Sequence, residues 1–225
     1  RPPFPTVEGL YKKPTVVNNV ETLAAIASIL KYGAKSFSSI GNTKSAGTKL
    51  VCLDSLFKNP GVYEMDMGTS MKKIIYDIGG GFTKPVKALQ VGGPLGGVIP
   101  IKEIEKLNLD FQEFTSAGFM LGHGSIVSIP EDFNMIKYIH HLFKFSAEES
   151  CGKCFPGRLG SYRGKEMFDQ AVNKTNKIPI KLLNELLVTM KKGSLCALCG
   201  AIPVPIQNIL KYFTHEFKAD INQEA

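Results

Sequence analysis

Four of the chain's five cysteines stand in two C-x-x-C pairs, Cys151-Gly152-Lys153-Cys154 and Cys196-Ala197-Leu198-Cys199, with 41 residues between the pairs. Few folds accommodate such an arrangement without a centre for the thiols to share. Gly152 and the small Ala197 permit tight turns that aim two sulfurs and several backbone N–H groups at one point. Thiolates are soft ligands, so an iron–sulfur cluster or zinc is the chemistry that fits. Zinc ribbons usually separate their pairs by about 15–20 residues. The longer insert favours the cluster, with zinc second and free thiols or a disulfide third.

The rest of the composition mainly excludes. A chain of 225 residues can bury a sizeable core in one or two domains, and 44% hydrophobic with 21% charged residues is ordinary for a globular protein. No apolar run approaches the roughly 18 residues of a membrane span, so no direct membrane insertion is expected. Five clustered cysteines do not make a disulfide framework, which points to a reducing, cytoplasmic setting. The net charge of +7 comes from scattered lysines rather than a basic stripe. No nucleic-acid module accompanies it, so it is read as solubility and attraction to acidic partner surfaces. The start, Arg1-Pro2-Pro3-Phe4-Pro5, has neither Met nor a signal-peptide core and reads as the middle of something.

Taken in order, the chain opens as a proline-rich arm and turns into a helix striped by Leu23, Ala24, Ile26, Ala27 and Leu30. Asn18 or Asn19 is its natural N-cap, and such a helix end is also a ready phosphate site. Lys49–Leu53, Val62–Met65 and Val86–Val91 read as strands, with a helix over Ser70–Ile78. Together they suggest a small α+β domain. Gly92-Gly93-Pro94-Leu95-Gly96-Gly97 lacks the spacing of a dinucleotide loop. Cys52, alone on a strand, is expected in the core, and His123 in a turn. Phe111–Ile129 reads as strand broken by glycines. After Pro130 four short helices follow, the later ones opened by Pro156, Pro179 and Pro205, which implies a four-helix bundle with both cysteine pairs in loops at one end.

These residues resemble the C-terminal half of the NADH-oxidising flavoprotein subunit of respiratory complex I. They are also similar to the corresponding subunits of NAD-dependent formate dehydrogenases and NAD-linked hydrogenases. Glu8-Gly9-Leu10-Tyr11 and Pro14–Leu23 look like the end of that family's flavin domain. Ser45–Leu50 and Pro60–Glu64 look like its β-grasp, ubiquitin-like domain. Glu149–Cys154 and Ser194–Leu198 look like its cluster-binding domain. Gln90–Gly97 and Gly160–Gly164 are closer to the formate dehydrogenase and hydrogenase branch. The resemblance implies an α+β chain in three parts: the tail of a flavin-binding α/β domain over 1–40, a β-grasp domain over 41–128, and a four-helix iron–sulfur bundle over 129–225. It implies that Asn18, Asn19 and Thr22 contact the FMN phosphate and that Cys151, Cys154 and Cys196 are ligands of a 4Fe–4S cluster. NAD(H) would bind mostly outside this chain. Implied partners are the N-terminal flavin-domain segment, a thioredoxin-like 2Fe–2S subunit and a larger iron–sulfur or catalytic subunit, peripheral to a membrane complex.

Two departures qualify the resemblance. The family motif runs C-x-x-C-x-x-C, and here Gly157 stands at the third cysteine. Where the family has glycine after Cys-Ala-Leu, this chain has Cys199. One thiolate is lost and one gained: either Cys199 replaces the lost ligand, or the cluster has an open iron, or it is absent, and of these Cys199 is taken as the fourth ligand. Cations at Lys153, Arg158 and Arg163 and helix ends at Pro156 and Pro205 would offset the charge of an anionic cluster. The second departure is that the family's nucleotide loops have no counterpart here, so this chain by itself is not expected to oxidise NADH. The competing reading is a structural or assembly module holding zinc or no metal, without a redox role.

Overall fold

The computed structural model describes residues 2–222; Arg1 and residues 223–225, the extreme ends of the outer segments expected from the sequence, lie outside the described residues. The chain divides into two units, residues 1–47 and 48–225.

In the first unit, α1 (Val20–Tyr32) is followed by α2 (Ala34–Ser38). Asn19 caps α1: its side-chain oxygen accepts the N–H groups of Glu21 at 2.9 Å and Thr22 at 3.3 Å. Among the described residues of this unit only Gly47 is buried, against the ring of Phe37. The stripe read from the sequence is therefore present but uncovered, with Leu30 81% exposed.

The second unit begins with a hairpin, β1 (Thr48–Leu53) and β2 (Gly61–Asp66). One turn of helix, α3 (Met71–Lys73), widens into a π turn over Ile74–Ile78. Then come β3 (Val86–Val91), β4 (Gly97–Pro100), α4 (Ile101–Ile104), α5 (Phe111–Ser116) and β5 (Ser125–Pro130). The sheet order is β2-β1-β5-β3-β4, with β1 and β5 parallel and every other pair antiparallel. A parallel neighbour needs a long crossover, which the α3–α5 stretch supplies.

Both faces of this sheet are covered around β3. Leu89, Val91 and Ile99 join one core with Val51, Ile74, Phe114 and Ile126, while Ala88, Val98 and Ile129 join the other with the helices that follow. On β3 the residues Ala88–Val91 are all buried, the polar Gln90 among them, as expected of a strand covered on both faces. The helices are α6 (Met135–Glu149), α7 (Ser161–Val172) entered through a π turn at Pro156–Gly160, α8 (Ile180–Gly193), the short α9 (Ala197–Ala201) and α10 (Pro203–Phe213). A two-residue parallel pair, β6 (Ile178–Pro179) and β7 (Ile221–Asn222), closes the far end. On α6 the buried set Met135, Ile136, Ile139, Leu142, Phe143 and Ser146 keeps helical spacing. Among the described residues no helix is long and apolar enough to cross a membrane.

Four readings of the sequence are corrected. Phe111–Ile129 is not one broken strand. Asp110 caps α5 by accepting the N–H groups of Gln112 and Glu113, and only Ser125 onward pairs into the sheet. Cys52 is exposed, not core, because the two-residue period of β1 turns its neighbours Val51 and Leu53 inward. The last long helix opens at Pro203 rather than Pro205. Cys199 lies within α9 and not in a loop.

Candidate metal centre

The first cysteine pair follows α6 directly. Ser150 ends that helix in an extended conformation, and Gly152 turns the chain in the left-handed region at φ 73°. Cys151 is exposed and Cys154 partly buried. The Arg158 N–H, in the turn opened by Pro156, donates to the Cys154 carbonyl at 2.9 Å. Arg158 packs beside Gly152, with its guanidinium over the Phe155 ring at 5.3 Å. The second pair follows α8. Ser194 ends that helix, Cys196 is extended and exposed as the N-cap residue of α9, and Cys199 on α9 is only 2% exposed.

The two pieces meet at Cys154. The backbone N–H of Leu195, from the opposite loop, and that of Gly157 hold the Cys154 thiol below its ordinary pKa; partial burial opposes this, and its own N–H and the Ser194 hydroxyl assist. Donors aimed at a sulfur stabilise the thiolate, the form that binds metal. Ser194 Oγ is itself buried and has no hydrogen-bonding nitrogen or oxygen partner. A buried hydroxyl without a partner is costly, and a thiolate ligand at Cys154 would supply one. These features fit a cluster bound by thiolates.

The third contact is at Gly157. A Cβ placed there would stand 2.9 Å from Cys154 Sγ and 3.2 Å from Cys199 Sγ. Cys199 Sγ also lies 3.8 Å from the Gly157 carbonyl and 3.7 Å from Ser146 Oγ, which is fully buried. Among the described residues no three His, Cys, Asp or Glu side chains are drawn together tightly enough for a single ion. The structure thus brings Cys154, Cys199 and the Leu195–Cys196 segment to one end of the helices. Ser194, Ser146 and the Leu195 N–H are not singled out by the sequence. A serine and a leucine beside a C-x-x-C carry no signal until the loops are seen to converge.

Of the expected cations, Arg158 lies at the first loop, whereas Arg163 faces Glu166 at 3.2 Å. At the other expected site, Asn18, Asn19 and Thr22 gather at the start of α1, where Asn19 N–H donates to Asn18 Oδ1 at 2.7 Å and Asn19 Oδ1 accepts from the N–H of Thr22.

Residues 137–220 match the NADH-ubiquinone oxidoreductase-F iron-sulfur binding region. The whole chain is 37% identical to the NADP-reducing hydrogenase subunit HndC of Solidesulfovibrio fructosivorans, of which it covers 46%. Over 99% of its length it is 37% identical to an NADH-quinone oxidoreductase subunit of Rhizobium meliloti, covering 53% of that protein. A crystal structure of an NAD+-reducing [NiFe]-hydrogenase in the H2-reduced state superposes with a TM-score of 0.85 at 28% identity, over 99% of this chain and 38% of the hydrogenase chain. The chain spans about half the length of the curated relatives it matches.

Proposed function

Taking as premise that the chain belongs to the family of NADH-oxidising flavoprotein subunits and spans about half of such a protein, we propose that it passes electrons between NAD(H), FMN and a 4Fe–4S cluster within an oxidoreductase complex. The observation that carries this is the meeting of the two cysteine loops, in which Cys154 Sγ and Cys199 Sγ stand 2.9 Å and 3.2 Å from the one point that a Gly157 Cβ would occupy.

In this reading Cys151, Cys154 and Cys196 hold the cluster, which supplies one-electron transfer when bound. The chain's own part is to set the surroundings. The N–H groups of Leu195 and Gly157 and the Ser194 hydroxyl stabilise negative charge on the Cys154 sulfur and so raise the reduction potential, while Arg158 adds a cation beside the first loop. Exposed Cys151 and Cys196 keep one side open toward a donor or acceptor.

The remaining parts follow the same reading. The uncovered stripe of α1 suits the trailing edge of a flavin domain over 1–40, with Asn18, Asn19 and Thr22 at the FMN phosphate. The mixed sheet, with its antiparallel hairpins and central parallel pair, is read as the β-grasp domain of 41–128, and the helices of 129–225 as the cluster bundle. A thioredoxin-like 2Fe–2S subunit and a larger iron–sulfur or catalytic subunit are the proposed partners. The test is the colour of the anaerobically reconstituted chain. A broad visible absorption that bleaches on chemical reduction is expected, without NADH oxidation by the chain alone. A colourless chain, or one that holds only zinc, would contradict the proposal.

A further inference from the structure

Gly157 and Cys199 occupy one place between them. Gly157 lies in the π turn just after Pro156 and is buried, with no side chain to offer. Cys199 sits across from it on α9, and its sulfur comes within 3.2 Å of the point where a Gly157 Cβ would stand. Real side chains rarely tolerate so short a contact, so a side chain at 157 and the sulfur at 199 compete for the same space. The same point is 2.9 Å from Cys154 Sγ. The two sulfurs therefore lie within roughly 6 Å of each other, the total of those two distances. A cubane with metal–sulfur bonds near 2.3 Å holds its ligand sulfurs about 6–7 Å apart, so two sulfurs no farther apart than its lower limit are within its reach.

The burial of Cys199 has two physical readings. As a filler it would merely occupy the gap left by Gly157, since free cysteine packs as a small hydrophobe. Two observations distinguish it from a filler. Its sulfur faces Gly157 and Cys154 on the side where the two cysteine loops converge, and on that same side Ser194 Oγ is buried with no nitrogen or oxygen partner. A buried hydroxyl left with only a sulfur in reach suits a thiolate, the metal-binding form, better than a neutral thiol.

We propose that Cys199, from α9, is the fourth thiolate ligand of the cluster and stands in for a side chain that position 157 cannot supply. The ligand has moved from the turn after α6 to the helix across from it, and the absent Cβ of Gly157 gives its sulfur a path to the iron. On ligation the S–H bond breaks, the proton leaves to solvent, and a sulfur–iron bond forms without change of oxidation state. This inference rests on the cluster reading above.

The full 225-residue chain, reconstituted anaerobically with iron and sulfide, provides the test. Iron and acid-labile sulfide are measured alongside the EPR spectrum for the parent chain, Cys199→Ala, Gly157→Cys/Cys199→Ala, and Cys52→Ala as an exposed control. Cys199→Ala is expected to lose at least one iron per chain, with a three-iron signal or none. The double variant should recover the parent's iron content, because its new Cβ no longer meets a sulfur at 199 and Cys154 Sγ, 2.9 Å away, can turn into the space that sulfur leaves. Cys52→Ala should match the parent. Should Cys199→Ala fail to fold, Cys199→Ser, with nearly the same shape, replaces it and should show an altered spectrum. Parent-like iron, sulfide and EPR in a folded Cys199→Ala or Cys199→Ser chain would overturn the inference and leave the cluster reading standing. A folded double variant that does not recover iron would also overturn it. A parent chain that takes up no iron would overturn both.

Discussion

Tyr138, on α6, donates its hydroxyl hydrogen to Gln90 Oε1, on β3, at 2.6 Å. Gln90 is buried, and its amide donates in turn to the Pro94 carbonyl at 3.2 Å. This pair ties the helix that delivers the first cysteine pair to a central strand of the sheet. Burial pushes the Tyr138 hydroxyl pKa well up, with the nearby Asp54 charge adding to it, so the hydroxyl stays a donor across the physiological range.

Tyr138→Phe leaves the Gln90 oxygen buried without that donor. The expected cost is about 1–3 kcal/mol in urea unfolding. Cluster content should be unchanged, since Tyr138 lies near the start of α6 and the cysteines follow its end. A loss of iron with unchanged stability would contradict this division of roles.

Gly164 governs the contact between α6 and α7. A Cβ there would come 2.1 Å from the ring of Phe143, which is fully buried and stacked on Phe168 at 5.7 Å between centroids. Gly164→Ala would gain about 1 kcal/mol of helix propensity, but overpacking a ring that cannot withdraw typically costs about 1–3 kcal/mol. The clash wins. Net destabilisation is expected in thermal unfolding, and a rise in Tm would show that the two helices can part without penalty.

Asp169 binds Lys165 Nζ at 2.9 Å and His140 Nε2 at 2.6 Å. The Lys165 amine, and after it His140, hold the Asp169 carboxyl below its ordinary pKa, against a smaller opposing effect of burial. A depressed carboxyl pKa means that the native state favours the ionised form. Its contribution is therefore fully present above about pH 4, the unfolded value, and fades as the pH falls through the lowered native value. Asp169 is 39% exposed, so solvent screening keeps the effect small, under about 1 kcal/mol. Asp169→Asn should be less stable than the parent at neutral pH, with the gap closing in acid. A gap that widens in acid would reverse the sign of this account.

Legibility in the sequence follows the physics of each element. Asn19 can be read as a cap because side-chain oxygens satisfy helix N–H groups by local geometry alone. The strand around Leu89 is visible because Val86, Leu89 and Val91 favour extended backbone and the glycines from Gly92 on mark its end, although Lys87 and Gln90 conceal that both of its faces are covered. The helix after Asp110 is hidden because Gly118, Gly122 and Gly124 dominate the texture that follows, although Asp110 with Glu113 is a capping signal. The glycine run at 92–97 lacks a nucleotide loop's spacing, and the fold gives it a different task. A Cβ on Gly92 would stand 2.4 Å from the Leu121 carbonyl oxygen, so that glycine answers to a backbone crossing. At the candidate centre the cysteines are legible from spacing, whereas Ser194, Ser146 and the Leu195 N–H depend on two loops 41 residues apart and become visible only in three dimensions.

The most direct test of the central claim is the iron and acid-labile sulfide content of the anaerobically purified 225-residue chain. The account predicts four iron and four sulfide per chain, as the matched iron–sulfur binding region implies. Zinc in place of iron, or free thiols with neither iron nor sulfide, would contradict it.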